Sequence, residues 1–111
     1  MTSTDIADRF FASVRARDIE AFMTLFAEDA TVITPDGRQH AGAAAIRTME
    51  NAVFASANPP TPTPGRIIAT DHSFAVEIEI QLASGACLRM GSFYQINSTG
   101  LIQRLSVYRQ G

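Results

Sequence analysis

The sequence predicts an α+β fold in which three helices come first and an antiparallel sheet follows, the helices covering one sheet face. Three observations carry that expectation. The first half repeats apolar residues at helical spacing, the half from Arg66 onward alternates with period two, and a proline-rich stretch separates them.

Thr4 is placed to cap a first helix in which Ile6, Phe10 and Val14 recur at four-residue spacing, with Ala7 and Phe11 beside them. Asp18 is placed to cap a second helix from Ile19 to about Ala27, with Ile19, Phe22, Met23 and Phe26 on one face. "ATVIT", residues 30–34, is a short β-branched strand, and Pro35-Asp36-Gly37 is a turn. After "RQHAG" a third helix extends from Ala43 to about Ser56, buried along Ile46, Met49 and Val53. "NPPTPTPG", residues 58–65, holds four of the five prolines and is expected as a stiff extended crossover, because proline neither continues a helix nor donates to a central ladder.

The strings "RIIATD", "SFAVEIEIQL", "ACLRMGSFYQI" and "LIQRLSVYR" then read as an antiparallel meander, separated by turns at Asp71-His72-Ser73, Ala83-Ser84-Gly85 and 97–100. Phe74, Val76, Ile78 and Ile80 point one way. Glu77, Glu79 and Gln81 point the other, where Arg89 on the next strand is a partner for the glutamates.

At 111 residues and 46% apolar content the chain is expected to form a single domain over 1–111 with a small core. A net charge of −2 with 18% charged residues supplies no basic stripe for phosphates, which argues against nucleic acid. The single Cys87 has no disulfide partner within the chain, and its strand-like surroundings suggest a buried, inert thiol. "MTSTDIADRFF" lacks a charged region followed by an apolar run, and no long apolar segment occurs, so a cytoplasmic protein without membrane contact is expected. Asn97-Ser98-Thr99 reads as turn chemistry before Gly100.

The order of elements and several strings resemble the ketosteroid isomerase-like and SnoaL-like branch of the nuclear-transport-factor-2-like superfamily. "RFFASVRARDIEAFMTLFAEDATV" is similar to the family's opening helices and first strand, "GAAAIR" to its third-helix entry, and "GLIQRLSVY" to its last hairpin and strand. The resemblance implies a cone-shaped half-barrel enclosing an apolar pocket, and a homodimer through the outer sheet face. It also implies isomerase, cyclase, hydrolase or purely binding roles, since one fold hosts many functions. The isomerases use an aspartate base with a tyrosine and a protonated aspartic acid as oxyanion donors. Here the base position falls on Thr34, the tyrosine on Phe10 and the oxyanion aspartic acid on Ser92. The Asp-Arg-Asp relay of limonene epoxide hydrolase fares no better, because its last aspartate falls near Val107 and the other two positions fall in "FAVEI".

Carried over by strand alternation, Met90, Ser92 and Tyr94 face the pocket from one strand and Leu105, Val107 and Arg109 from the last. Phe10, Val14, Phe26, Thr34, Met49, Phe74 and Val76 complete the lining. Glu50 falls where the family places a hydrogen-bonding tyrosine, and a carboxylate in an apolar pocket would have a raised pKa; the alternative is a solvated helix surface. The candidate catalytic set is therefore Tyr94, Ser92 and Glu50, with Tyr94 or Ser92 donating to a carbonyl and Glu50 moving a proton. Asp36 and His40 flank a turn that is read as an exposed hairpin turn in preference to a second acid/base pair, and His72 sits in a surface turn. The histidine and carboxylate spacing does not suit a metal, so the expected ligand is a small apolar organic molecule with no metal or cofactor.

Overall fold

Thr2, rather than Thr4, caps the first helix, α1 (Ser3–Ala16), in the computed structural model, which describes residues 1–56, 61–82 and 84–110. The Thr2 hydroxyl accepts from the Asp5 N–H at 3.2 Å while the Asp5 carboxylate accepts from the Thr2 N–H at 2.9 Å. This is a capping box with aspartate in the position that glutamate usually takes. A left-handed Arg17 ends α1, and Asp18 caps α2 (Ile19–Met23) through the Ala21 N–H, as expected.

α2 is shorter than its apolar spacing predicts. Instead of continuing to Ala27, the chain turns into β1 (Phe26–Ile33), because Phe26 pairs with Ile102 and the Leu25 carbonyl accepts from the Ile102 N–H at 2.7 Å. Tertiary pairing overrides the local helical pattern here. A turn at Pro35-Asp36-Gly37 leads to β2 (Gln39–Ala41), and Gly42 enters α3 (Ala43–Ala55) at φ 90°, a conformation glycine adopts without steric cost. Ile46 is the fully buried anchor of α3, with Met49 half-buried beside it.

Of the crossover expected over 58–65, residues 58–60 lie outside the described residues, as does Ala83 of the second hairpin turn. The remainder is not a loop: Pro62 opens β3 (Pro62–Ala69). Two prolines are tolerated there because β3 is the last strand of the sheet and has a neighbour on one side only. β4 (Ser73–Gln81), β5 (Cys87–Ile96) and β6 (Ile102–Arg109) follow as the expected antiparallel meander.

The six strands form one sheet in the order β2-β1-β6-β5-β4-β3. All neighbours are antiparallel except β1 and β6, which run parallel and make the sheet mixed. A parallel pair needs a long connection, and α3 with the meander supplies it. The helices lie on one face, where Ile6, Phe10, Phe22, Phe26, Ile46, Phe74, Val76 and Leu105 form the core. Phe10 sits at the centre of an aromatic cluster, with ring centroids 5.2 Å from Phe11, 5.4 Å from Phe22 and 5.2 Å from Tyr94.

On the opposite face Glu77 pairs with Arg66 at 3.7 Å and Glu79 with Arg89 at 3.4 Å. Cys87 departs from expectation: its thiol is exposed. The inward residues of β5 are Leu88, Met90, Ser92 and Tyr94, so Cys87 has the outward parity.

Candidate functional site

Strand register stacks the inner-face residues into rungs. Phe74, Tyr94, Leu105 and Val32 are paired in sequence across β4, β5, β6 and β1. The next rung is Val76, Ser92 and Val107, and the one after it Ile78, Met90 and Arg109. Burial declines along β6, from Leu105 in the core through half-buried Val107 to exposed Arg109. The inner face therefore runs from a closed apolar end to an open rim.

Tyr94 stands at the closed end, its ring stacked on Phe74 at 4.1 Å and met edge-on by Phe10. Both Tyr94 and Ser92 are buried, and the Ser92 hydroxyl donates to the Tyr94 phenol oxygen at 3.1 Å. Among the described residues no acceptor meets the phenol proton. Burial raises the Tyr94 pKa above that of an ordinary phenol; the Ser92 hydrogen bond offsets part of this, and the nearby Glu50 charge adds to it. Tyr94 is accordingly a neutral hydrogen-bond donor at physiological pH.

Glu50 is half-buried on α3 and desolvation lifts its pKa to about 7. Its charge reaches the Tyr94 phenol, so the carboxyl, the phenol and the Ser92 hydroxyl belong to one electrostatic environment. Glu50 lies four residues after Ile46 and next to Met49, on the helix face turned to the sheet. A carboxyl poised near neutral pH both takes and returns protons.

The other expected lining residues distribute as follows. Phe10, Phe26, Phe74, Val76 and Leu105 are buried, while Val14, Met49, Met90 and Val107 pack half-buried against them. Val32 completes the Tyr94 rung and was legible in the alternation of "ATVIT". Thr34 is different: its hydroxyl donates to the Asp36 carboxylate at 2.5 Å and lies 3.3 Å from the Arg38 carbonyl. It holds the hairpin turn. The hydrogen bond from Thr34 also keeps the Asp36 carboxyl below its usual range, helped by the Arg38 N–H. Asp36 pairs with Arg38, so the suggested Asp36–His40 acid/base pair is not formed. Thr34, Pro35, Asp36, Met90 and Arg109 line an open cavity of about 530 Å³ at the rim.

Outside the cone, a groove of about 620 Å³ crosses the outer sheet face, bordered by Ile68, Ala75, Phe93, Gln95, Arg104 and Tyr108. Ile68, Phe93 and Tyr108 are among the large apolar or aromatic side chains most exposed to solvent. Among the described residues no group of three His, Cys, Asp or Glu side chains converges to hold a metal ion, and no helix is long and apolar enough to cross a membrane.

No curated protein matches the chain in sequence. Among solved structures, a protein from Sphaerobacter thermophilus superposes with a TM-score of 0.84 at 24% identity, over 100% of this chain and 98% of that one. The epoxide hydrolase/cyclase-like enzyme SalBIII, of pyran ring formation in the polyether salinomycin, gives 0.82 at 20% identity over 97% and 90% of the two chains. A protein with a ketosteroid isomerase-like fold from Catenulispora acidiphila DSM 44928, in complex with trimethylamine, gives 0.81 at 17% identity over 96% and 86%. At such identities the likeness is one of fold. In sequence, the SnoaL-like domain matches residues 7–105, from α1 to the rung that carries Tyr94 and Leu105, and the chain belongs to that family.

Proposed function

We propose that the protein is a proton-transfer enzyme acting on an apolar, oxygen-bearing small molecule such as a polyketide, terpenoid or steroid fragment. The observations that support this reading are the Ser92–Tyr94 hydrogen bond within the apolar core and a carboxyl of pKa about 7, Glu50, whose charge is felt at the phenol. Tyr94 donates its proton to a substrate carbonyl oxygen as a hydrogen bond, Ser92 fixes the phenol, and Glu50 removes a proton from the adjacent carbon and returns it elsewhere. Isomerisation, and ring closure by an enolate, are both reactions of this kind. The base comes from α3, whereas the position the family's isomerases use for it holds Thr34, a turn residue here. The polyether-forming relative supports a cyclase or hydrolase within the same class.

The test is solvent deuterium exchange into the α-carbon of simple cyclic ketones and enones, followed by NMR. Wild-type protein should accelerate exchange, Glu50→Gln should abolish the acceleration, and Tyr94→Phe should reduce it about a hundredfold. Exchange unchanged in both variants would remove the mechanism.

A second reading, a non-catalytic binding or assembly domain, is favoured by the outer groove with exposed Ile68, Phe93 and Tyr108. That surface supports a homodimer through the outer sheet face under either reading, and tight ligand binding without any exchange would select the second.

A further inference from the structure

α3 carries two charged residues, Arg47 and Glu50, and they stand three positions apart. Side chains at that spacing are neighbours on a helix surface, with Cβ atoms about 5–6 Å apart, and an arginine so placed is the default partner of the carboxylate. That pairing is not made. Arg47 reaches instead to α2 and donates to Glu20 from both terminal nitrogens, Nη1 to Oε1 at 2.6 Å and Nη2 to Oε2 at 3.4 Å. Among the described residues Glu50 has no hydrogen bond and no ion pair.

A planar guanidinium set on both oxygens of one carboxylate is fixed in direction as well as in distance. The hydrogen bond from Arg47 holds the Glu20 carboxyl below its ordinary range, so Glu20 stays ionised throughout the pH range in which Glu50 titrates. Desolvation alone lifts Glu50 to about 7, and a guanidinium beside it would pull it back down. The other titratable groups on the elements packed against α3 are Glu28 and Asp29 on β1, His40 on β2 and Asp18 at the start of α2, with Tyr94 on β5. None of them bonds to Glu50.

We propose that Glu20 is a positioning residue for the inner site: it withholds the single cation of α3 from Glu50, so that this carboxyl stays unpaired and free to exchange protons. The consequence for catalysis rests on the reading of Glu50 as the base, whereas the withholding itself does not. Paired with Arg47, Glu50 would be a weaker base, and a guanidinium would occupy the oxygen that has to receive the proton. A carboxylate on the neighbouring helix thus acts on the base without touching substrate.

Titration of the Glu50 carboxyl by NMR in isotope-labelled protein tests this, with Glu50→Gln identifying the signal. Glu20→Gln releases Arg47 to Glu50, whose pKa should fall from about 7 to about 6, and the fall should shrink as salt is raised. Arg47→Gln breaks the same contact but frees no cation, so it should leave the Glu50 pKa at the wild-type value, and the double variant Glu20→Gln/Arg47→Gln should return it there. His40 is present in every variant and cancels from the comparison. Equal falls in the two single variants would mean that α3 loosens and admits water, and no fall in Glu20→Gln would mean that Arg47 does not reach Glu50; either result overturns the proposal. In the ketone exchange assay Glu20→Gln should move the rise of the pH profile down with the pKa and lower its plateau, and the double variant should recover both. Wild-type protein without exchange would remove Glu50 as the base and the catalytic part played by Glu20, while the carboxyl titration still decides the withholding. Both members of the pair lie at the surface, so their replacement leaves the core intact, and a nearly unchanged unfolding midpoint checks this.

Discussion

Ser92 and Tyr94 sit two residues apart on the same face of β5, and the serine donates to the phenol oxygen at 3.1 Å. The phenol is thereby oriented by a neighbour that occupies it as an acceptor and not as a donor. Tyr94→Phe should keep the stacking on Phe74 and the edge contact with Phe10, and cost only about 1 kcal/mol in urea unfolding. Its effect on turnover should be far larger than its effect on stability. Ser92→Ala should lower turnover less, since the phenol survives.

Glu50 sets a pH dependence with a defined sign. Its folded pKa of about 7 lies above the ordinary carboxyl value of 4.5, so the folded state binds the proton more tightly than the unfolded chain. Stability from this residue is fully present below about pH 4.5 and is lost as pH rises through about 7, on the order of 2 kcal/mol for a partly solvated group. Glu50→Gln should flatten unfolding free energy across that window. Asp5 and Asp36 are shifted down by hydrogen bonds and act in the opposite sense, losing their contribution only in more acidic solution. In the same pH range, α-proton exchange should rise with pH to a plateau above about 7, reporting the ionised base.

Ile46 is completely buried beneath α3, the helix that presents Glu50. Ile46→Ala should destabilise the fold by about 2–5 kcal/mol through lost contacts and a residual cavity. Thermal unfolding measures this, and at temperatures where the variant remains folded its α-proton exchange should still depend on Glu50.

Phe93 and Tyr108 meet edge-to-face at 5.7 Å on the outer sheet face, both more than half exposed. Under the homodimer proposed above, wild-type protein should sediment as a dimer in analytical ultracentrifugation and Phe93→Glu as a folded monomer, because a charge placed in the centre of such an apolar interface would have no partner there.

The capping box makes a smaller, separate prediction. Thr2→Ala should cost about 1 kcal/mol, and Thr4→Ala should cost less, as Thr4 is exposed and makes no cap.

What the sequence disclosed follows the range of the interactions involved. The alternation of Phe74, Val76, Ile78 and Ile80, the Asp18 cap and the Asn97 turn depend on neighbours a few residues away, and all were readable. The early end of α2 was not, since it is imposed by Ile102, some eighty residues along the chain. The Thr2 cap was obscured by a second threonine in "TSTD" and by aspartate standing in for glutamate. The outward parity of Cys87 follows from its place seven residues before the inward-facing Tyr94 on the same strand. Glu50 was readable in principle: 46, 49, 50 and 53 form one helical stripe. Its raised pKa needed the packed fold, because desolvation is a property of the surroundings and not of the residue type.

Pro62 and Pro64 acquire a further meaning from their place at the sheet margin. A row of free N–H groups on a terminal strand is a template for other chains, and a strand holding two prolines has fewer N–H groups to offer. The opposite margin, β2, is three residues long and too short to seed a ladder. Growth of the sheet from chain to chain, the route to fibrous aggregates, is thus blocked at both borders. A symmetric pair formed through the broad outer face, as proposed above, would close on itself and stop.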